Sequence, residues 1–332
     1  MIRKFLALGL VLVGVFLMAH FEHWRSQLSA VWLILGGACW WWGSPRWLGA
    51  WGLGWLALLA LAPGRGPGCV ASPWLRFSPL NLATERDLSS LGIAFFYGGS
   101  AHVRAIVRPI YDEMDTRGHN AQMCHAIAYA ANDMFGLGPG SGHLFFTPAP
   151  PGRKLLLFLH GAMGNLQCYT SFWQTFAEQN GYTVVCPTFG FGFWWRPGGL
   201  ETAENAWNYA HERLGVAPGG ALLIGLSNGA TGAVRLTLAH PEMVEQLVLI
   251  SPVLEPELVG SAAFARAVRQ PPLVLEGDRD SNVTPGEVET GLAAMRRVGL
   301  KPRYVLLPGH DHFMMFSARR DVFELLQHVQ RS

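Results

Sequence analysis

The stretch Ala221-Leu222-Leu223-Ile224-Gly225-Leu226-Ser227-Asn228-Gly229 decides how this 332-residue chain is read. Four apolar residues in a row suit a buried strand. Gly225, Ser227 and Gly229 then fall in the pattern G-x-S-x-G, and an amphipathic segment, Asn228 to Ala239, starts at once. Strand, sharp turn and helix together make a nucleophile elbow: the glycines permit the bend, and the bend lifts the serine hydroxyl above the sheet. With 39 glycines in the chain the bare pattern can arise by accident. The flanking strand and helix are what give it weight against the bland reading, a tight turn with a surface serine.

Short apolar runs recur on both sides of the elbow, at Leu144 to Phe146, Leu155 to Leu159, Thr183 to Cys186, Leu247 to Ile250, Leu273 to Leu275 and Tyr304 to Leu307. Runs of this length without polar alternation suit strands buried on both faces. Longer amphipathic segments lie between or after them: Ser171 to Gln179, Glu201 to Leu214, Glu287 to Val298 and Asp321 to Val329. Such alternation implies an α/β fold, a mostly parallel sheet flanked by helices. Chemistry on sheets of this kind collects beyond the carboxyl ends of the strands.

From about Leu144 to the C-terminus these residues resemble the α/β-hydrolase superfamily. Leu155-Leu156-Leu157-Phe158-Leu159-His160-Gly161 is similar to its strand ending in His-Gly, which precedes the oxyanion loop. Gly225 to Gly229 is similar to its elbow. Glu276-Gly277-Asp278-Arg279-Asp280-Ser281-Asn282-Val283 resembles its acid loop, with Asp280 at the catalytic position. Pro308-Gly309-His310-Asp311-His312-Phe313 resembles its histidine loop, with His312 at the catalytic position. Each motif is loose, but four in the right order are specific. The resemblance implies a serine hydrolase of the carboxylesterase or lipase type, with no cofactor and no metal.

The order Ser227, Asp280, His312 is also the one expected for this architecture. A serine hydroxyl is a weak nucleophile at neutral pH, so an imidazole must take its proton. A carboxylate fixes the imidazole tautomer and stabilises the imidazolium. Backbone N–H groups hold the oxyanion; here they are those of Asn228 and Ala162, with Met163 as the substitute for the second. His310 is the rival base, and Asp278 and Glu255 are rival acids. His160 reads as a brace for the oxyanion loop. Asp278, Asp280, Asn282, Thr284 and Glu289 also fall at the ligand offsets of a calcium-binding loop, but Val283 stands where that loop needs glycine.

Phe189-Gly190-Phe191-Gly192-Phe193-Trp194-Trp195 follows a strand and belongs at the catalytic edge. It reads either as core packing or as an apolar acyl-binding wall, with Phe191, Phe193 and Trp194 as substrate-binding residues. The expected substrate is therefore a small-molecule ester or lipid with an apolar acyl group. The same triad serves peptides and thioesters. A reading from a different class is a catalytically silent hydrolase-fold binding or scaffold protein, against which the intact triad argues.

The N-terminal third has another character. Half of all residues are hydrophobic and 14% are charged, against about 25% in an ordinary soluble domain, and the deficit sits mainly in the first sixty-odd positions. Phe5 to Phe21, Ala30 to Gly43 and Trp47 to Ala62 are apolar runs. They read as two or three membrane-spanning helices or as a re-entrant hairpin, with Trp40, Trp41, Trp42 and Trp47 at the interface. The alternative is a buried hairpin of a soluble protein. Three passes from an inside N-terminus put the catalytic domain on the non-cytoplasmic side. The expected organisation is a membrane anchor over 1–63, a linker and helical region over 64–141 that covers the active site, and a hydrolase domain over 142–332. A net charge of +2 with no basic block excludes nucleic acid as a partner. The five cysteines form no Cys-x-x-Cys pair; they are all thiols, or Cys69 pairs with Cys124.

Overall fold

The computed structural model describes residues 2–22, 24–42, 46, 49–54, 68–70, 83–99, 101–117, 143–147 and 149–331. The chain divides into two compact units, one of residues 1–66 and 72–128, the other of residues 67–71 and 129–332.

The second unit is an eight-stranded sheet in the order β1-β2-β4-β3-β5-β6-β7-β8. The strands are β1 Cys69–Val70, β2 Leu144–Phe146, β3 Lys154–Leu159, β4 Tyr182–Pro187, β5 Ala221–Leu226, β6 Val244–Ile250, β7 Leu273–Gly277 and β8 Arg303–Leu307. β1 and β2 pair antiparallel, as do β2 and β4, and every pair from β4 to β8 is parallel. The central strands β4 and β5 are buried along their whole length, so the apolar runs without alternation are explained by helices on both faces. Within the sheet, β5 lies between β3 and β6: Leu159 pairs with Gly225 and Gly225 with Leu249. That register brings the ends of β3, β5 and β6 level with one another. The expected domain start at 142 shifts, because β1 comes from the preceding segment. A strand of two residues is too short for any periodicity to announce it.

In the first unit, α1 (Ile2–His20) and α2 (Trp24–Trp42) form a hairpin, followed by α3 (Glu85–Phe96) and α4 (Ala101–Thr116). Small residues let the first two helices approach closely: Ala7 and Ala30 are fully buried, and a side chain at Gly37 would run into the carbonyl of Ala7. Thr84 caps α3 by accepting from Asp87 N, as its spacing suggests. The capping residues also bind the hairpin. Thr84 N donates to Ser26 Oγ at 2.9 Å, and Glu22 N donates to Asp87 Oδ1 at 2.9 Å. On α4, Val103, Val107, Ile110, Tyr111 and Met114 make the buried stripe. The helical region therefore belongs with the N-terminal helices and not with a separate linker. Its continuation from 118 to 142, most of the third apolar run and Cys124 lie outside the described residues.

The expectation of a spanning anchor finds no support in the described residues, which include only residues 49–54 of the third apolar run. Among the described residues, no helix is long and apolar enough to cross a membrane. In α1 the uncharged stretch from Phe5 to Ala19 rises only about 22 Å, against a hydrocarbon core of about 30 Å. In α2 the polar residues Ser26, Gln27 and Ser29 occupy the first turns, and their side chains serve the local structure: Gln27 Nε2 donates to Phe21 O and Ser29 Oγ to Ser26 O.

The longer helices of the second unit are α5 (Gln167–Asn180), α6 (Gly199–Arg213), α7 (Asn228–Ala239), α8 (Pro285–Arg297) and α9 (Arg319–Arg331). α5 presents Phe172, Trp173 and Phe176, all fully buried, to Tyr182 and Phe323. Aromatic side chains pack here in edge-to-face and tilted pairs, which add to their burial. Phe176→Ala is expected to destabilise the second unit by about 3–5 kcal/mol, read as a fall in the urea midpoint with an unchanged slope. A loss under about 1 kcal/mol would mean that the cluster does not carry this face of the sheet.

Candidate active site

Ser227 sits at the bend between β5 and α7 with φ 52° and ψ −119°, a left-handed conformation that side chains rarely adopt. Backbone hydrogen bonds hold it there. Ser227 N donates to Ile250 O at 2.9 Å, and Ser227 O accepts from Ala230 N and Val253 N. The elbow leaves no space for side chains on either side. A Cβ at Gly225 would lie 2.6 Å from Ala230 Cα, and one at Gly229 would collide with the carbonyl of Leu159. The G-x-S-x-G pattern is thus a packing requirement imposed by β3 as much as a conformational one.

Asp280 and His312 arrive from the loops after β7 and β8. His312 Nδ1 lies 2.7 Å from Asp280 Oδ2, with the Asp280 side chain wholly buried and that of His312 14% exposed. Asp280 Oδ1 accepts from the backbone of Asn282 at 2.8 Å and Val283 at 2.9 Å. Burial works against ionising this carboxyl. The hydrogen bond and charge of His312, the Val283 N–H and the Glu276 side chain outweigh that penalty and hold it below the usual carboxylate range. With the carboxylate fixed on Nδ1, the Nε2 of His312 is the nitrogen left for proton transfer. The structure joins Asp280 to His312. It does not join Ser227 to His312, because Ser227 Oγ makes no hydrogen bond among the described residues.

The rivals are engaged elsewhere. His310 Nδ1 is 2.7 Å from Ser317 Oγ. Asp278 Oδ1 accepts from Gly309 N. Glu255 takes both carboxylate oxygens to Arg235 NH2 at 3.0 Å. The calcium-loop alignment dissolves in the same way, since Thr284 caps α8 in a capping box with Glu287.

The loop after β3 runs beside the nucleophile. A Cβ at Gly161 would lie 3.0 Å from Ser227 Cβ, and Ala162 is the next residue. His160 is completely buried and neutral: burial lowers its pKa to about 4. Its Nε2 accepts from Phe189 N at 3.1 Å, which puts the proton on Nδ1, donated to Gly161 O at 2.8 Å. Asn165 ties the far end of the loop to Cys186 O and Thr188 Oγ1. Met163 has φ 75°.

The aromatic loop after β4 divides into two parts. Trp194 is 1% exposed, and its indole N–H donates to His160 O at 2.8 Å. Its ring also packs against those of His160 and Phe189. It braces the loop after β3 and has no surface left to line a wall, so the reading of Trp194 as a substrate residue is corrected. Phe191 and Phe193 are half-buried, and Phe193 lies over Trp195 with Arg196 above its ring. The sequence reading missed how closely this loop meets the oxyanion loop. Gly192, at φ 81°, would strike Gly161 O with any side chain. The alternation of glycine with aromatic residues was the available signal.

Six parallel strands, the antiparallel pair at one edge and a strained serine at the end of the central strand define the architecture. This is an α/β-hydrolase fold. No family model matches the chain, and no curated protein matches it. Among solved structures it is similar to esterase PE8, at 22% identity over 57% of this chain and 99% of that one, TM-score 0.46. It is also similar to the thioesterase domain from the curacin biosynthetic pathway, at 15% identity over 56% and 94%, TM-score 0.44. A third is a putative dipeptidyl aminopeptidase IV from Bacteroides ovatus, at 15% identity and TM-score 0.45, where 56% of this chain spans only 33% of that protein.

The two histidines can be separated by substitution. His312→Ala is expected to reduce kcat for p-nitrophenyl ester hydrolysis by about 10⁴-fold or more, whereas His310→Ala, which loses only its bond to Ser317, leaves kcat nearly unchanged. The reverse order would make His310 the base.

Proposed function

We propose that this chain is a serine hydrolase that cleaves carboxylic esters with apolar acyl groups through an acyl-serine intermediate. The observation that carries the reading is the buried Asp280–His312 hydrogen bond at the sheet edge where the strained Ser227 stands. Ser227 Oγ attacks the ester carbonyl while His312 takes its proton, and the imidazolium is stabilised by Asp280. The N–H groups of Asn228, at the start of α7, and Ala162 are the donors proposed for the oxyanion. Proton return from His312 releases the alcohol, and water attacks the acyl-serine by the same route. None of these steps calls on a cofactor or a metal. Phe191 and Phe193 supply the apolar surface for the acyl group.

The test is active-site labelling. A fluorophosphonate probe is expected to modify the wild-type chain at Ser227 and to leave Ser227→Ala unmodified. That variant is expected to lose about 10⁴-fold or more of its activity on p-nitrophenyl esters. Labelling that persists in Ser227→Ala, or activity within about tenfold of wild type, sinks the assignment. Comparing acyl esters with the matching thioesters and peptide anilides then ranks the substrate classes.

We further propose that a lipid bilayer is the partner of α1. Ile2, Phe5, Leu12 and Phe16 of this helix are half or more exposed. An apolar surface of that extent marks an interaction face and not an ordinary solvated helix. Helices too short to cross can still bury such a face in the interfacial region of a bilayer. The full chain is expected to float with phosphatidylcholine vesicles in a density gradient, and the variant Phe5→Ser/Leu12→Ser/Phe16→Ser to remain at the bottom. Flotation of both, or of neither, removes the bilayer from the reading. Point substitution is preferable to deleting residues 1–63, because the deletion would also strip Ser26 and Glu22 from the cap of α3.

A further inference from the structure

Glu276, on β7, has no exposure to solvent. Its Oε1 accepts from Gly277 N at 2.9 Å, and its Oε2 receives no hydrogen bond. The polar groups facing it are the carboxyl of Asp280 and the hydroxyl of Ser251, a fully buried residue held at φ 43°. Two carboxyl groups therefore share one buried site. They cannot both ionise there, because like charges in a poorly solvated space repel strongly. Asp280 has the partners that a negative charge requires: His312 and the N–H groups of Asn282 and Val283. Glu276 has a single N–H and the Ser251 hydroxyl, and the latter has the smallest effect on it. A carboxyl group that meets a carboxylate and has so few donors is stable in that position when it carries the proton itself.

We propose that Glu276 is a positioning residue of the triad, one that keeps its proton and donates it as a hydrogen bond to Asp280, so that the carboxylate is held facing His312. The inference rests on the reading of Ser227, His312 and Asp280 as a catalytic triad. Its energetics agree: burial first, then the hydrogen bond and charge of Asp280, push the Glu276 carboxyl up to about 9. The other titratable groups around the pair are His312 on the loop after β8, Tyr304 on β8 and Glu287 at the start of α8. Burial and the charges of Glu276 and Glu289 hold the Tyr304 phenol up at about 12, so it does not change charge where Glu276 does. Above about pH 9 the proton leaves Glu276. A second negative charge then stands beside Asp280, the hydrogen bond is lost and the carboxylate is free to turn away from His312.

Three measurements on the full-length chain test this. The wild-type protein at neutral pH is expected to show an infrared C=O band of a protonated carboxylic acid that is missing in Glu276→Gln. Glu276→Gln keeps a donor of the same size and should retain most of the neutral-pH kcat on p-nitrophenyl acetate. Glu276→Ala, without a donor, should lose about 10²-fold. After subtraction of spontaneous hydrolysis, the wild-type kcat/KM should fall as pH passes about 9, and this fall should be absent in Glu276→Gln. A missing carboxylic acid band, an identical alkaline fall in Glu276→Gln, or an undiminished Glu276→Ala would each overturn the proposal. Wild-type protein that fails to react with a fluorophosphonate brings down the triad reading instead, and the infrared band, which needs no turnover, still locates the proton.

Discussion

The left-handed bend at Ser227 is the constraint on which the second unit depends. A non-glycine residue at φ 52° costs on the order of 1–3 kcal/mol, and it persists only if its surroundings leave no alternative. Those surroundings are the two strands that flank β5. β6 supplies the carbonyl that receives Ser227 N, and the segment after β6 supplies Val253 N for Ser227 O. β3 supplies the carbonyl of Leu159, against which residue 229 can carry no side chain. For these contacts to coincide, β5 must lie between β3 and β6 with their ends in register, which is the observed order. The same crowding brings the loop after β3 to Ser227, since Gly161 passes almost in contact with the serine Cβ. Sheet order, glycine placement and the position of Ser227 are therefore one requirement seen from three sides.

Burial then assigns protonation states around the site. Three ionisable groups lie deep in this region, and each takes the form that its partners can support. His160 has one acceptor for its Nδ1 proton and one donor for its Nε2, so it is neutral and serves as a rigid bridge between the loops after β3 and β4. Asp280 meets two backbone N–H groups and an imidazole, so it keeps its charge despite burial. Glu276 meets one N–H and a carboxylate, so it does not. The charge in the buried part of the site is thus concentrated on the one carboxylate that touches His312, which is where the proposed proton transfer requires it.

Much of this was legible in the sequence because it depends on short-range patterns. The strands from Leu155 onward are unbroken apolar runs, the elbow fits within five residues, and the acid and histidine loops directly follow strands. The choice of His312 over His310 needed an analogy, and the structure adds a physical reason, the engagement of His310 with Ser317. What could not be read depends on contacts distant in sequence. Trp194 looks like its aromatic neighbours until the carbonyl of His160 is found under its indole. Glu276 looks like an ordinary strand-end acid until Asp280 folds back against it. β1 is two residues long and exists only because β2 offers it an edge.

In the N-terminal helices hydropathy and length have to be weighed separately. An apolar run registers as a candidate span wherever charges are scarce, but a span must also outlast the hydrocarbon core. In α1 the charged and polar ends, Lys4 and His20, close the apolar segment too early, and in α2 the first turns are committed to capping α3. The small residues that let α1 and α2 pack closely, Ala7, Ala30 and Gly37, bury one face of each helix against the other. That packing leaves Phe5, Leu12 and Phe16 on the outside. Sequence hydropathy sums both faces and cannot separate the one that the hairpin consumes from the one that it presents. A helix with one face spent on its partner and the other uncovered has the form that the proposed binding at a bilayer surface requires.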